Sequence, residues 1–332
     1  MPLGNHIADL DGLLIGHATD LDLGSGVTAV IFAEPAVVSV AVLGGAPGGR
    51  ELGLLAPEMT IERVDAVVLA GGSAFGLDAA AGVQAALRED GRGLKVAGAT
   101  VPLVPAAILF DLANGGSKEW GRFPPYRDLG HAAARAARAA AGELGSIGAG
   151  TGASTATVKG GIGSASARTP SGHLVGAIAA VNALGTATIG DGPHFWAAPF
   201  EVGAEFGGRG WPARFTPADT ALRLKSRPQP GTTIGLVATD ATLSKAQAKR
   251  LAIMAHDGLA RAVLPAHAPG DGDTIFAAAT GRRPLREPVA ELTELGHAAA
   301  AVFARAIGRA VFCAAALPHK GAQPAWRDRF GA

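Results

Sequence analysis

The chain has 332 residues, 48% hydrophobic and 17% charged, and its 29 Lys and Arg nearly balance 28 Asp and Glu for a net charge of +1. That is enough apolar chain to bury a sizeable core, in one large domain or two modest ones. The neutral balance, with no basic run to track phosphates, gives no reason to expect a polyanionic partner, so no nucleic acid is expected.

The N-terminus, MPLGNHIADLDGLLIG, lacks the basic-then-apolar order of a signal peptide. No apolar run approaches the ~20 residues of a membrane-spanning helix. A cytoplasmic protein with no membrane partner is expected. The 48 glycines are about twice the ordinary share of roughly 7%. They cluster at the ends of apolar runs, as tight turns between packed layers require. The abundant alanine permits close helix–sheet approach.

Val27–Phe32 and Val37–Leu43 are β-branched apolar runs and read as two strands. Asp65–Ala70 is a third, followed by Gly71-Gly72-Ser73-Ala74-Phe75-Gly76 and a helix over Leu77–Arg88. Gly130–Leu144 reads as an alanine-rich helix. Gly145–Ala167 is too poor in apolar bulk for a helix and reads as turns joining short strands. Leu174–Asn182 is strand-like and ends in a polar amide. Gly203–Gly231, rich in Gly, Pro and Arg, reads as an exposed loop. Thr232–Thr239 is a strand. Ser244 opens a helix to about Val263, with Gln247 completing a capping box. A strand over Asp273–Ala278, a helix over Pro288–Ile307 and a last strand over Ala310–Leu317 complete the chain. The lone cysteine, Cys313, lies in that last run; it permits no intramolecular disulfide, fits a reducing compartment, and reads as a small buried hydrophobe. Strands and helices are mixed, with no repeat and no linker, so residues 1–332 read as a single layered α/β domain.

Several motifs carry candidate chemistry. The glycine loop after Ala70 lacks the G-x-G-x-x-G spacing, the P-loop lysine and the nucleophile-elbow spacing, and reads as a tight turn without a ligand. The nine histidines show no metal-ligand pattern, and His17, His131, His256 and His297 read as structural or surface residues; no metal and no cofactor are expected. At Gly231-Thr232-Thr233-Ile234 a Pro/Gly segment runs straight into a strand whose first residue is threonine. An N-terminal nucleophile needs this arrangement: the hydroxyl attacks the preceding carbonyl, and the freed amine becomes its base. A Gly-Thr turn before a strand is also common. Asp271-Gly272-Asp273 places two carboxylates on one face at the start of a strand, to orient a nucleophile, to hold an ammonium group, or merely to close a polar turn. Lys159 is either a solvated surface lysine or a cation that tunes a neighbour's pKa. Asn182 either closes a turn or donates into an oxyanion hole.

Together these segments resemble one family along nearly the whole chain: the self-cleaving family of D-stereospecific and β-amino-acid-specific aminopeptidases, which includes the nylon-oligomer hydrolases. GAPGGRE at 45–51, VVLAGGSAFGLDAAAGV at 67–83, VPLVPAAILFDLANGG at 101–116, GAGTGAS, KGGIGSAS, GAIAAVN, GTTIGLVATDATLSKAQAKRLA and MAHDGLARAVLPAHAPGDGDTIFAAATG carry the resemblance. The last two are most similar to the nylon-oligomer branch. The resemblance implies a four-layer αββα sandwich and autocleavage at Gly231–Thr232 into an α part, 1–231, and a β part, 232–332, that stay associated. It implies Thr232 as nucleophile, supported by Lys159, Asn182, Asp271 and Asp273. A homotetramer is expected. The implied substrates are small amides or peptides: linear amide oligomers such as 6-aminohexanoate oligomers, or alternatively peptides with D- or β-amino-acid N-termini. A non-enzymatic binding protein and an acyl transferase similar to ornithine acetyltransferase stand behind these. Two positions depart from the family. Gly231 stands where the nylon-oligomer branch has Asn. Phe110 stands near a tyrosine used by some members, and the only tyrosine here is Tyr126.

Overall fold

The computed structural model describes residues 3–140, 142–225 and 230–331. The first strands are β1 (Leu13–Asp20), the long β2 (Ser25–Val42), the short β3 (Gly49–Arg50) and β4 (Arg63–Ala70). Helix α1 (Ala79–Glu89) follows a six-residue 3-10 segment, Ser73–Asp78. After it come β5 (Leu94–Val96), β6 (Ala99–Val101), β7 (Ala106–Ile108) and α2 (Tyr126–Arg135). The rest is β8 (Gly161–Arg168), β9 (Leu174–Asn182), β10 (Thr232–Ala241), α3 (Lys245–Ala260), β11 (Thr274–Arg283), α4 (Pro288–Phe312) and α5 (Trp326–Phe330).

Nine strands form one hydrogen-bonded sheet, ordered β3-β7-β4-β2-β11-β10-β9-β8 with β1 added to β2. The sheet is folded on itself through β2. The first half of β2 pairs with β1 and β4, and its second half pairs with β11. Alternation along each strand then sends side chains into separate cores. Ile234, Leu236 and Ala238 of β10 join Val67 and Leu69 of β4 in a core between the two sheet layers. Val237 and Ala241 face outward to α3 and α4. Ala66, Val68 and Ala70 face the other way, to α1 and α2. Three cores, helix on sheet, sheet on sheet and sheet on helix, make the expected four-layer αββα sandwich.

Small residues set the layer spacing. A Cβ on Gly163 of β8 would fall 1.9 Å from the Ala306 carbonyl of α4, and one on Gly130 of α2 would fall 2.0 Å from the Ala79 carbonyl of α1. Only glycine allows backbones that close.

Three sequence expectations are corrected. The two early apolar runs are one strand of 18 residues, β2. Its exposed middle, Ala33-Glu34-Pro35, coincides with a register shift against β4, where proline's missing N–H is tolerated. Helix α2 begins earlier and ends earlier than Gly130–Leu144, because Arg138 leaves it to exchange backbone hydrogen bonds with Ile15 of β1 at 3.0 and 3.1 Å. No strand forms over Ala310–Leu317. Instead α4 continues to Phe312, its last turns resting on glycines of β8, and Cys313 caps it half-buried. The capping box at Ser244 and Gln247 is present, and opens α3. The loop over Gly203–Gly231 is irregular and mostly exposed, as expected, but Phe206, Lys225 and Gly231 are buried; residues 226–229 lie outside the described ones.

Candidate active site

The site forms at one end of three adjacent strands. Asn182, the last residue of β9, is the cross-strand partner of Thr232, the first residue of β10. Strand β11 runs parallel to β10, with α3 as the crossover that a parallel pair requires. The turn before β11 therefore falls beside the start of β10, and a bridge pairs Gly231 with Asp271. Thr232, Asn182, Asp271 and Asp273 are all buried.

The Gly231–Thr232 peptide is clamped by this turn. Gly231 N–H donates to the Gly270 carbonyl at 3.1 Å, and the Gly231 carbonyl accepts from Gly272 N–H at 3.0 Å. The Thr232 hydroxyl donates to the same Gly231 carbonyl oxygen. A Cβ on Gly272 would lie 2.8 Å from Thr232 Oγ1, so glycine is needed for the turn to approach the hydroxyl.

The two carboxylates precede β11 instead of lying on its face, and each takes its own partners. Asp271 accepts from Leu184 N–H at 3.0 Å and Ala268 N–H at 3.2 Å. Asp273 accepts from Thr233 N–H at 2.7 Å, and its other oxygen contacts the backbone N–H and ring Nδ1 of His267 at 2.9 and 2.8 Å. Burial, followed by the charge of Asp273, raises the Asp271 carboxyl to about 6.

Asn182 is a buried amide held by three side-chain hydrogen bonds. Oδ1 accepts from Ser154 N–H and from the Lys225 ammonium, both at 3.0 Å. Nδ2 gives one hydrogen to the Phe110 carbonyl at 2.8 Å, which leaves its second hydrogen for another acceptor.

Lys159 is buried, which removes the solvated-surface reading. Its ammonium donates to the carbonyls of Gly150 and Gly160 at 3.0 and 2.8 Å. It is thus tied to the backbone beside the site, not to Thr232. Burial lowers it to about 7; Asp111 pulls it back up and Lys225 pushes it further down. Burial likewise lowers Lys225 to about 7, against the pull of Asp271 and Asp111. Both lysines line a cavity of about 520 Å³ together with Phe110, Asp111, Ser154 and Gln323. Asp111 accepts from Ser25 Oγ and Gly72 N–H, both at 2.7 Å, and burial raises its carboxyl. The glycine loop after β4 thus serves an internal carboxylate. Tyr126 is buried and donates to Ser25 Oγ at 3.1 Å.

The arrangement therefore sets a hydroxyl against a carbonyl whose oxygen already takes a backbone N–H, with a carboxyl of raised pKa and a spare amide N–H nearby. Those are the parts of acyl transfer: nucleophile, base and oxyanion donors. Sequence reasoning missed Lys225, Gly272 N–H, Asp111 and His267. Lys225 carried one faint signal, as a lysine in a loop rich in Gly, Pro and Arg. A backbone donor such as Gly272 N–H carries none.

The profile of peptidase family S58 matches residues 5–323. An uncharacterized aminopeptidase of Mycobacterium tuberculosis is 42% identical over an alignment covering 98% of each chain. One of Mycobacterium leprae is 41% identical, covering 93% of this chain and 91% of its own. Among solved structures, a beta-aminopeptidase from a Burkholderia species superposes with a TM-score of 0.72 at 22% identity, over 98% of this chain and 91% of that one. The L-aminopeptidase D-Ala-esterase/amidase of Ochrobactrum anthropi, described as a variant of the Ntn hydrolase fold, gives 0.70 at 19% identity over 98% and 89%. These two structures share this chain's fold.

Proposed function

This chain belongs to peptidase family S58 and is a peptide hydrolase, and on that premise we propose that it is an aminopeptidase that cuts itself between Gly231 and Thr232 and then uses Thr232 as its nucleophile. The observation that carries this reading is the Thr232 hydroxyl held on the Gly231 carbonyl, whose oxygen also takes Gly272 N–H at 3.0 Å. In maturation, Thr232 Oγ1 adds to the Gly231 carbonyl carbon. The C–N bond breaks, and the hydroxyl proton ends on the Thr232 nitrogen. Water then hydrolyses the resulting ester, leaving a Gly231 carboxylate and a free Thr232 amine. The cut leaves β10 bonded to β9 on one side and β11 on the other, so the α and β parts stay associated.

The freed amine, with an unperturbed pKa of about 7.7–8.0, serves as base for its own hydroxyl in turnover. Thr232 takes the acyl group of the substrate's first residue, the departing amine is protonated, and water frees the enzyme. Asn182 Nδ2 and backbone N–H groups hold the oxyanion. Asp271, Asp273 and Lys159 position and tune the nucleophile.

The mycobacterial relatives described as aminopeptidases support this reading over cleavage of 6-aminohexanoate oligomers. The space around Gly231 supports a D- or β-amino-acid N-terminus. Gly231 is the acyl residue of the first reaction, and an L side chain there would put its Cβ 2.0 Å from Leu184 N and 2.3 Å from Asp271 Oδ1. A β-amino acyl group has only hydrogens at that carbon, and a D residue points its side chain the other way.

The test begins with intact mass and N-terminal sequencing, which should give a fragment starting TTIGLVA. Free and N-acetylated 6-aminohexanoate oligomers are then assayed beside β-alanyl, D-alanyl and L-alanyl amides. Strict dependence on a free amine with the β or D compound preferred is expected. Cleavage of acetylated oligomers would restore the oligomer-hydrolase reading.

A further inference from the structure

One buried cation of the site has no part in the reaction just described. We propose that Lys225 is a positioning residue, which fixes the direction of the Asn182 amide and so aims Nδ2 at the oxyanion. The inference rests on Asn182 being an oxyanion donor.

A terminal amide can exchange its oxygen and nitrogen by a half-turn with little change in shape. Something must therefore decide which end faces the reacting carbonyl. At Asn182 the Oδ1 position lies 3.0 Å from Ser154 N–H and 3.0 Å from the Lys225 ammonium. Both groups only donate. A reversed amide would set its NH₂ against two donors in a buried site and would lose the Phe110 carbonyl as acceptor. Ser154 alone supplies one ordinary hydrogen bond. Lys225 adds a charge-assisted one, of roughly twice the strength.

The lysine also donates to the main-chain carbonyl of Asn182 at 3.0 Å, so a single ammonium grips side chain and backbone of the same residue. Its own backbone N–H donates to the Leu184 carbonyl at 3.2 Å, which docks the loop alongside the end of β9. Three donors and no acceptor suit a lysine to this grip. Lys225 lies on the α part, shortly before the cut, so the docking of that segment and the direction of the amide are linked.

The test is a set of full-length variants: Lys225→Met, Lys225→Arg, Asn182→Ala and the Lys225→Met/Asn182→Ala pair. Self-cleavage rate, kcat, KM and melting temperature are measured for each. Losing one oxyanion donor costs about 10²–10³ in kcat, so a misdirected amide in Lys225→Met should cost about tenfold or more, with KM within about threefold of the parent. Lys225→Arg should recover part of the loss. Because Lys225 acts through Asn182, adding Lys225→Met to Asn182→Ala should cost no more than about twofold further. If Lys225→Met fails to fold, Lys225→Gln takes its place, with an intermediate loss expected. Parental kcat in Lys225→Met beside an impaired Asn182→Ala would overturn the proposal, as would losses that multiply in the pair. Normal turnover by Asn182→Ala would instead overturn the oxyanion assignment beneath it.

Discussion

Strands β9 and β10 carry buried ionisable groups at both ends. At one end His173, just before β9, sits between Glu291, 3.0 Å from Nε2, and Asp240, 3.4 Å from Nδ1. Asp240 also accepts from Leu174 N–H at 2.9 Å, and Glu291 from Arg286 N–H at 3.1 Å. At the other end stand Thr232, Asn182, Asp271 and Asp273. By residue type the histidine between two carboxylates is the more suggestive set. Yet its groups hold one another and nearby backbone, and none of them lines the large cavity. The other end sets a hydroxyl on a carbonyl, and its Asn182 bonds Phe110, Ser154 and Lys225, which line that cavity. Composition nominates residues for chemistry; a nucleophile in contact with its electrophile selects among them.

The largest effect expected is from Thr232→Ala. In the proposed mechanism one hydroxyl performs both cleavage and turnover, so the variant should stay a single uncut, folded, inactive chain, while Thr232→Ser keeps some of both. Intact mass and an amide assay read the outcome. Parental turnover in the alanine variant would move the nucleophile elsewhere. Next is Gly272→Ala, whose Cβ would meet Thr232 Oγ1 and the Ala46 carbonyl at 2.8 Å each. A displacement near 1 Å can cost about 10²-fold, and the rate of fragment appearance should fall by that order.

Asp271→Ala and Asp273→Ala should each lower kcat by tens of fold or more, since general-base and positioning groups contribute roughly 10²–10⁴. Losses confined to melting temperature would return this turn to a merely structural role. The raised carboxyl of Asp271 gives a pH signature. Below about 6 it is protonated and cannot accept a proton, so self-cleavage should accelerate as pH rises through about 6. The Thr232 amine does not yet exist at that stage and contributes nothing to the profile. Asp271→Asn should flatten the rise. The same shift has a stability sign: the unfolded chain releases this proton first, so the contribution of Asp271 to stability is full in acid and is lost as pH rises through about 6. The smallest effect on activity belongs to the opposite end of the strands. His173→Gln should lower the melting temperature by a few degrees and leave kcat unchanged. A fall in kcat there would erase the contrast between the two ends.

The sequence by itself determined the elements whose signals are local. Strand β10 shows in the apolar run after Gly231, β9 in the run that ends at Asn182, and α3 in its Ser244/Gln247 capping box. Thr232, Asn182, Asp271 and Asp273 could be nominated as candidates because each type stands at the edge of such an element. Tertiary structure decided what depended on distant partners. Whether two apolar runs made one strand rested on β4 and β11 pairing with different halves of β2. Where α2 stopped rested on Ile15 competing for Arg138, and the run of α4 past Ile307 rested on the glycines of β8, which let Ala306 and Ala310 pack against that strand. In the site, Gly272 N–H meets the Gly231 carbonyl only because β11 lies parallel to β10, and Lys225 meets Asn182 only because the loop docks along the end of β9. A hydrogen bond between groups far apart in sequence leaves no periodicity behind, since either partner alone looks like any other glycine or lysine.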